Sequence, residues 1–311
     1  MMNITSTVKL KDYMVEQITG KYNYLYVGKE NMTDKIKAET DVFVTYGGDL
    51  TDGEAEQFEN LKWVHVMSAG IDEIPKDIFD KALVTNSTGI HKIPMTEYAV
   101  GILMQYYKNF AKLHEAQKNN EWIRYSRSEE LYGKEAHILG TGSIGSHLAK
   151  ALQVFGVRTV GYNTNGRSIE GFDQTYAISE LNERIGTADI MVNILPSTPS
   201  TTNFLQTETF KLMKDEAVFL NIGRGTVMTD EVLIEVLEQK YIAQVLSDVF
   251  NTEPLPAESP LYNYDNLTIT PHCSAKTGMY NVRAFDIFMY NLERMDNEAD
   301  MQNVIDYNKG Y

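Results

Sequence analysis

The sequence predicts an α/β protein that combines a doubly wound parallel sheet with a second, smaller α/β domain. Short β-branched or aromatic runs alternate with stretches of helical periodicity along the whole chain, which is typical of βαβ units. A strand, a glycine-rich turn and a helix follow one another in AHILGTGSIGSHLAKALQVFG. The chain has 311 residues, more than one hydrophobic core usually serves, so two domains are expected.

The first third of the chain predicts a small flavodoxin-like domain. Its predicted strands cover residues 24–27, 42–46, 63–68 and 83–86, with polar helical segments between them. Residues 94–117 then show one long helical pattern that begins with a proline, which suits a first helical turn. We interpret this helix as the bridge into the second domain and its apolar stripe as core or dimer contact. The stripe consists of Tyr98, Ile102, Leu103, Tyr106 and Phe110.

The glycine-rich turn predicts a Rossmann dinucleotide-binding domain. It lies between a predicted strand at 136–139 and a predicted helix at 144–155, whose inward face holds Leu148, Leu152 and Phe155. The first glycine permits a tight turn, the second lets N–H groups approach a pyrophosphate, and the third permits close packing of helix and strand. A second strand at 158–162 completes the unit. The assigned cofactor-binding residues are Gly140, Thr141, Gly142, Ser143, Ile144 and Gly145.

The residue after the second strand bears on the choice of cofactor. Asn163 stands 163 − 140 = 23 residues beyond the first glycine, where an NAD-selective protein normally offers an acid to the ribose hydroxyls. Without that carboxylate a 2′-phosphate is not repelled, and Arg167 offers it a bidentate cation. We therefore favour NADP(H) over NAD(H), with Asn163, Thr164 and Arg167 as contacts. The alternative is that Arg167 is a solvated loop residue without a ligand.

Polar residues follow three of the later predicted strands. The four later strands are predicted at 190–195, 218–222, 244–250 and 267–270, with a helix at 231–238, and the polar residues follow the last three of them. Arg224, Glu253 and His272 each come shortly after an apolar run, and the carboxyl ends of parallel strands face a common crevice. A guanidinium, a carboxylate and an imidazole that meet there suit one task, which is to hold a carboxylate-bearing substrate while a proton moves on or off the neighbouring oxygen.

Composition narrows the partners and the compartment. The net charge is 28 − 43 = −15, which argues against nucleic acid as a partner. The single cysteine, Cys273, cannot form an intrachain disulfide, and no leader opens the chain, so we expect the cytoplasm. The apolar stretches are too short or too interrupted by charge to span a membrane. We assign no metal site, interpret Cys273 as a packing thiol, and interpret the remaining histidines as structural or exposed. These are His65, His91, His114, His137 and His147.

Several ordered motifs resemble the D-isomer-specific 2-hydroxyacid dehydrogenases. They are SAGIDEI, ELYGKEAHILGTGSIG, LPSTPSTTNFL, NIGRGTVMTDEVLIEVL, SDVFNTEPLP and TPHCSA, spread over about residues 61–288. The resemblance implies an NAD(P)-dependent enzyme that transfers a hydride between the cofactor and a small 2-oxo acid/D-2-hydroxy acid pair. Arg224 would bind the substrate carboxylate, His272 would be the acid and base, and Glu253 would hydrogen-bond the far imidazole nitrogen.

The resemblance also implies further contacts and a domain plan. Main-chain N–H groups of Ser68, Ala69 and Gly70 would bind the substrate carboxylate from the first domain. The plan is a discontinuous substrate domain of residues 1–97 plus 277–311, a cofactor domain of residues 98–276, and a homodimer formed through the cofactor domain and an arm at 122–132. The further cofactor contacts would be Pro196, Ser197, Thr202, Ile222 and Asp248.

The substrate and some alternatives stay open. We favour glyoxylate or hydroxypyruvate, since no basic cluster for a phosphate is visible in the first domain, with larger branched 2-oxo acids as a further option. A short phosphoglycerate dehydrogenase is an alternative, although no regulatory extension follows the last helix. A relative acting on formate would be expected to carry glutamine where Glu253 stands. A non-catalytic NAD(P)-binding sensor or corepressor on the same fold is the alternative from another class.

Overall fold

The computed structural model describes residues 1–71, 73–124 and 128–307. The chain divides into two compact units, one made of Met1–Ile90 with the described part of Thr277–Tyr311, and the other of His91–Lys276. The strands are β1 (Asn3–Ser6), β2 (Asn23–Tyr26), β3 (Val42–Thr45), β4 (Trp63–Val66), β5 (Leu83–Asn86), β6 (Glu135–Leu139), β7 (Arg158–Asn163), β8 (Gln174–Ala177), β9 (Ile190–Asn193), β10 (Val218–Asn221), β11 (Gln244–Ser247) and β12 (Leu267–Ile269).

The α-helices are α1 (Asp12–Thr19), α2 (Asp34–Glu39), α3 (Lys76–Lys81), α4 (Lys92–Tyr107), α5 (Phe110–Lys118), α6 (Ser143–Val154), α7 (Leu181–Arg184), α8 (Thr207–Lys211), α9 (Asp230–Gln239) and α10 (Tyr280–Leu292). Short 3₁₀ helices lie at Lys29–Asn31, Ala55–Gln57, Ile178–Glu180, Ile185–Thr187, Gly225–Val227, Pro260–Asn263 and Glu298–Asp300. Among the described residues, no helix is long and apolar enough to cross a membrane.

The first unit holds a five-stranded parallel sheet in the order β2-β1-β3-β4-β5. This is the flavodoxin-like order, as predicted. Successive side chains of a strand point to opposite faces, so β3 sends Val42 and Val44 into one core and Phe43 into the other. The first core includes Trp63, which stacks on Phe288 of α10 with 5.3 Å between ring centroids. Helix α10, from the C-terminal part of the chain, therefore packs on one face of the sheet formed by the N-terminal strands.

The second unit holds a seven-stranded parallel sheet in the order β12-β11-β10-β9-β6-β7-β8. Counted from β6, this is the Rossmann order 3-2-1-4-5-6 with a seventh strand added. One core packs α9 on alternate strand residues such as Phe219, and the other packs α4 and α6 on residues such as Leu220. Helices thus cover both faces, and the order reverses between β6 and β9. The predicted glycine-rich turn follows β6 and so lies at this switch point.

Several local predictions were wrong. Strands β1 and β8 were missed because NITS and QTYA are short and polar, and each is recognisable only by its pairing with a neighbouring strand. The long helix predicted at 94–117 is two helices, since Asn109 adopts a left-handed conformation with φ of 57° between α4 and α5. Two residues assigned to apolar faces lie toward solvent, because Phe110 is 54% exposed and Phe155 is 38% exposed.

Candidate active site

The turn after β6 has the geometry of a pyrophosphate-binding loop. Gly140 has a φ of 107°, which only glycine adopts without strain. A Cβ at Gly145 would lie 2.0 Å from the carbonyl oxygen of Gly140, so α6 approaches β6 as closely as it does only because that side chain is absent. A Cβ at Gly142, by contrast, would meet nothing within 4 Å. The space in front of the helix N-terminus is therefore open.

The N-terminus of α6 also suits an anion electrostatically. Gly142 is the N-cap residue, no side chain caps the helix, and its first turn contains no acidic residue. The first N–H groups of a helix have no intrahelical partner and carry partial positive charge. These features fit the pyrophosphate of a dinucleotide, with Thr141, Ser143 and Ile144 on the same turn.

The loop after β7 is organised by its own amides. Asn163 is buried, its Nδ2 donates to the carbonyl of Arg167 at 2.9 Å, and its Oδ1 accepts from the N–H of Asn165 at 3.3 Å. The Oδ1 of Asn165 accepts from Nη1 of Arg167 at 3.3 Å. Arg167 is exposed, and residues 163–167 contain no carboxylate. The loop thus presents a cation where an acid would repel a phosphate.

The loop after β10 carries Arg224 and packs tightly on the loop that carries Glu253. A Cβ at Gly225 would lie 2.0 Å from the carbonyl carbon of Phe250, so the glycine after Arg224 is what lets the two loops touch. The side chain of Arg224 is exposed, and its Nη1 donates to the carbonyl of Gly223 at 2.8 Å. A guanidinium has five N–H donors, so the donors that do not contact Gly223 can bind an anion.

Glu253 and His272 form the pair that the family resemblance implied. Nδ1 of His272 lies 2.7 Å from Oε2 of Glu253, and Oε1 of Glu253 accepts the N–H of Phe250 at 2.9 Å. An ionised carboxylate can only accept, so Nδ1 carries the proton and Nε2 takes no part in this contact. The two side chains are 49% and 34% exposed, and they help to line a cavity of about 440 Å³. Its remaining walls are Asp248, Phe250, Pro254, Leu255, Tyr262, Ile269, Thr270 and Pro271.

His272 stands in a strained position that Asp248 supports. Its φ is 48°, and its N–H donates to the carbonyl of Asp248 at 2.8 Å. The buried carboxylate of Asp248 accepts the N–H groups of Cys273 at 2.9 Å and Ser274 at 2.8 Å, and the hydroxyl of Thr270 at 2.6 Å. The carboxylate oxygens of Asp248, predicted to accept a hydrogen bond from the cofactor, therefore also accept hydrogen bonds from the turn that carries His272.

The other predicted cofactor residues occupy loops at the carboxyl ends of β9 and β10. Ser197 Oγ lies 2.9 Å from Oγ1 of Thr226, and Thr202 Oγ1 donates to the carbonyl of Thr198 at 2.9 Å. The carbonyl of Pro196 accepts the hydroxyl of Thr201 at 2.6 Å. Ile222 is 2% exposed and packs in the core on the α4 and α6 side of the sheet.

The predicted substrate loop Ser68, Ala69 and Gly70 belongs to the first unit and follows β4. Ser68 Oγ donates to the carbonyl of Gly70 at 3.0 Å, and the carbonyl of Ala69 accepts Nδ2 of Asn86 at 2.6 Å. Within the described part of the chain, the N–H groups of Ala69 and Gly70 form no hydrogen bond. Two hydrogen bonds thus hold the loop, while two of its N–H groups have no partner among the described residues.

Two residues near the site have neighbours that the sequence did not reveal. His91 was assigned a structural or exposed role, yet burial and then the positive charge of Arg224 lower the pKa of His91, so it lies in the electrostatic range of the site. Tyr98, assigned only to an apolar stripe, places its hydroxyl 2.6 Å from Oγ1 of Thr270. Burial, followed by the nearby Asp248 carboxylate, raises the pKa of Cys273, which favours the thiol form.

Comparison with known proteins identifies the class. A family model for the NAD-binding domain of D-isomer-specific 2-hydroxyacid dehydrogenases matches residues 100–274. An uncharacterised protein from the proB 3′ region of Corynebacterium melassecola is 31% identical over 274 residues, which cover 83% of this chain and 88% of that protein. A D-3-phosphoglycerate dehydrogenase of Methanocaldococcus jannaschii is 29% identical over 253 residues, covering 80% of this chain but 48% of that protein.

A solved structure agrees over the whole chain. The D-isomer-specific 2-hydroxyacid dehydrogenase family protein from Aeromonas salmonicida has a TM-score of 0.83 and 28% identity, covering 98% of this chain and 99% of that one. The two-sheet fold and the dinucleotide turn, together with the family match, define an oxidoreductase that binds a nicotinamide cofactor. The chain belongs to the D-isomer-specific 2-hydroxyacid dehydrogenase family. It is accordingly an NAD(P)-dependent enzyme of the 2-hydroxyacid dehydrogenase class.

Proposed function

We propose that this protein reduces a small 2-oxo acid to the D-2-hydroxy acid, with NADPH as the preferred cofactor. The observation that carries the proposal is the 2.7 Å contact of His272 with Glu253, next to the loop of Arg224. An imidazolium held at Nδ1 by a carboxylate offers its Nε2–H as a proton donor. A guanidinium in the adjoining loop suits the carboxylate of the substrate.

Each member of the trio has one task in this reaction. Arg224 binds the substrate carboxylate and polarises the neighbouring carbonyl. The nicotinamide, when bound, supplies the hydride to the carbonyl carbon. His272, as an imidazolium, gives its Nε2 proton to the carbonyl oxygen, so the products are the alcohol, the oxidised cofactor and a neutral imidazole that keeps its proton at Nδ1, where Glu253 accepts it. In the oxidative direction the same imidazole accepts the proton.

The preference for NADPH rests on the loop after β7. Asn163 replaces the acid that would bind the ribose hydroxyls, and Arg167 is an exposed cation four residues further along. A 2′-phosphate would replace the weak 3.3 Å contact between Arg167 and Asn165 by a charge-assisted one. We assign the pyrophosphate to the turn that begins at Gly140, and the rest of the cofactor to the loops that carry Pro196, Ser197, Thr202, Ile222 and Asp248.

The preference for an unphosphorylated substrate rests on the loop after β3. Nζ of Lys29 donates to the carbonyl of Gly48 there. The carboxylate of Glu73 lies beside the same residue, since its Oε2 would be 2.7 Å from a Cβ at Gly48. One cation balanced by one carboxylate gives no strong attraction for a phosphate. Glyoxylate and hydroxypyruvate are therefore favoured over phosphohydroxypyruvate, the substrate that a short phosphoglycerate dehydrogenase would require.

The wider organisation is part of the same proposal. The first unit would bind the substrate, with the unused N–H groups of Ala69 and Gly70 taken by its carboxylate, and the second unit would bind the cofactor. A homodimer through the cofactor domain and the arm at 122–132, and a cytoplasmic location, stay predictions. Within that arm, residues 125–127 lie outside the described residues.

Turnover measurements test the proposal. The purified protein is assayed for oxidation of NADPH and NADH with glyoxylate, hydroxypyruvate, pyruvate, phenylpyruvate, branched 2-oxo acids and phosphohydroxypyruvate. We expect the highest kcat/KM for glyoxylate or hydroxypyruvate with NADPH, and chiral chromatography should show D-glycerate from hydroxypyruvate. Highest activity with phosphohydroxypyruvate would favour the phosphoglycerate dehydrogenase. Negligible turnover with a cofactor that still binds would favour a non-catalytic sensor.

A further inference from the structure

A chain of hydrogen bonds leads from helix α4 to the turn that carries His272. The hydroxyl of Thr270 donates to Oδ1 of Asp248 at 2.6 Å, because an ionised carboxylate only accepts. That donation uses the one hydroxyl proton of Thr270. The contact of 2.6 Å between Tyr98 and Thr270 must therefore have Tyr98 as its donor. The direction of the whole chain is fixed, from Tyr98 through Thr270 to Asp248.

We propose that Tyr98 is a positioning residue for the acid–base histidine and acts on it through Thr270 and Asp248. The far end of the chain is the turn itself, since Asp248 accepts the N–H groups of Cys273 and Ser274, the two residues that follow His272. The inference rests on the proposed function, because it assigns to His272 the role of proton donor.

The turn requires such support because its backbone is strained. A residue other than glycine with a φ of 48° costs free energy that the surrounding contacts must offset. The carboxylate of Asp248 is fully buried, so each donor that it accepts counts for more than in water. Burial and the charge of Asp248 raise the pKa of Tyr98, so the hydroxyl keeps the proton that it donates. Losing that donor loosens Thr270 and, through Asp248, the orientation of the His272 imidazole.

The test removes one hydroxyl at a time. Tyr98→Phe should lower kcat about fivefold, the effect of one partly buried hydrogen bond, with the dissociation constant of NADPH changed by less than about twofold. Thr270→Val should lower kcat at least as much, and Thr270→Ser, which keeps the oxygen, should restore most of it. In the double variant Tyr98→Phe/Thr270→Val, kcat should equal that of Thr270→Val alone, because Tyr98 acts only through Thr270.

Tyr107→Phe is the matched control. Tyr107 lies on the same helix, and its buried hydroxyl has no hydrogen-bond partner among the described residues, so its removal should leave kcat at the wild-type value. A loss in the double variant equal to the product of the two single losses would overturn the chain. An unchanged kcat in Tyr98→Phe would overturn it as well.

A spectroscopic readout separates this inference from the proposed function. The Nδ1–H of His272, hydrogen-bonded to Glu253, should give a downfield proton resonance that is absent from His272→Gln. Tyr98→Phe should shift or broaden it, and Tyr107→Phe should not. If the wild-type protein turns over no 2-oxo acid but the resonance responds in this way, the proposed function fails and the positioning role stands. An identical resonance in Tyr98→Phe contradicts the positioning role whatever the activity.

Discussion

His272 and Glu253 are joined at 2.7 Å, and Glu253 is itself anchored by the N–H of Phe250 at 2.9 Å. Two contacts thus position His272. A carboxylate holds its imidazole at Nδ1, and Asp248 holds the backbone turn that carries it. The same Phe250 packs on Gly225, which follows Arg224. The loops that follow β10, β11 and β12 are therefore in direct contact with one another, and a change in one is expected to affect the others.

Removal of the proposed proton donor, His272, or of the proposed substrate-binding cation, Arg224, should nearly abolish turnover. We expect His272→Ala to lower kcat by about 10² to 10⁴, the usual worth of positioned acid catalysis. Arg224→Ala should lower kcat/KM by a comparable factor, since it removes both binding and polarisation of the carbonyl. Steady-state kinetics measure both losses. NADPH binding, followed by cofactor fluorescence, should persist in both variants; a fully active His272→Ala would exclude the assignment.

Glu253→Gln should alter the pH dependence more than the maximal rate. The amide keeps the shape of the side chain but lacks the charge that stabilises a protonated imidazole. Reduction needs that proton, so activity should be lost mainly on the alkaline side of the profile. The measurement is kcat/KM for reduction across pH. A profile that coincides with that of the wild type would contradict the pairing of Glu253 with His272 in catalysis.

Removal of the cation, or addition of a carboxylate, in the loop after β7 should lower the preference for NADPH over NADH. Arg167→Ala should raise KM for NADPH about tenfold or more and leave KM for NADH unchanged, because only NADPH has the 2′-phosphate that Arg167 would bind. Asn163→Asp should act in the same direction by adding repulsion and a ligand for the ribose hydroxyls. Both constants are measured with one 2-oxo acid. A clear NADH preference that Arg167→Ala does not affect would end the idea.

The glycines of the dinucleotide turn should separate stability from cofactor binding. Gly142→Ala meets no atom within 4 Å, so the thermal midpoint of the cofactor-free protein should stay constant while the affinity for NADPH falls. Gly145→Ala places its methyl group 2.0 Å from the carbonyl oxygen of Gly140, so that midpoint should fall. Gly101→Ala is a control in α4, with nothing within 4 Å, and should stabilise the helix by about 0.5–1 kcal/mol. Unaltered NADPH affinity in Gly142→Ala would contradict the pyrophosphate assignment.

Acid should destabilise the first unit through His65. Burial lowers the pKa of His65 to about 3, well below its unfolded value. Between about pH 6.5 and pH 3, His65 is therefore protonated in the unfolded chain but neutral in the folded protein. As the pH is lowered through this window, the free energy of unfolding decreases by up to about 1.4 kcal/mol per pH unit. Above it, His65 is neutral in both states and contributes no slope.

Trp63 reports this effect directly, since it is fully buried and its ring centroid lies 5.7 Å from that of His65. The exposed Trp122 is the other tryptophan of the chain, so urea unfolding is followed by fluorescence in a Trp122→Phe background. The loss of stability between about pH 7 and about pH 5.5 should be smaller in His65→Gln. Equal losses with and without His65 would refute the assignment.

The sequence predicted the parts of the site that depend on local order along the chain. The strand, turn and helix around Gly140 require glycine for reasons of backbone conformation and close approach, and those reasons act within a few residues. Arg224, Glu253 and His272 could be placed at strand ends because an apolar run precedes each of them. The pairing of Glu253 with His272 followed from the family resemblance, and the structure places the two side chains in contact.

The sequence failed where a residue's role depends on a partner far along the chain. Tyr98 and Thr270 are 172 positions apart, so periodicity assigned Tyr98 to an apolar stripe and gave no sign of its hydroxyl contact. His91 likewise belongs to no motif. It directly precedes α4, and it comes near the charge of Arg224, which follows β10, only because the folded second unit contains both elements. Strand β8 has polar alternation too weak to recognise without β7 beside it.

By itself, the order of residues determined the two-sheet α/β class, the glycine-rich turn and the position of Arg224, Glu253 and His272 after apolar runs, because short-range sterics and hydrophobic periodicity act between neighbouring residues. Only the tertiary structure decided which oxygens Asp248 shares with the turn of His272, and which helix supplies the first donor in that network. Hydrogen bonds are directional and form within about 3 Å, so their partners are set by the packing of the sheet and its helices and not by spacing along the chain.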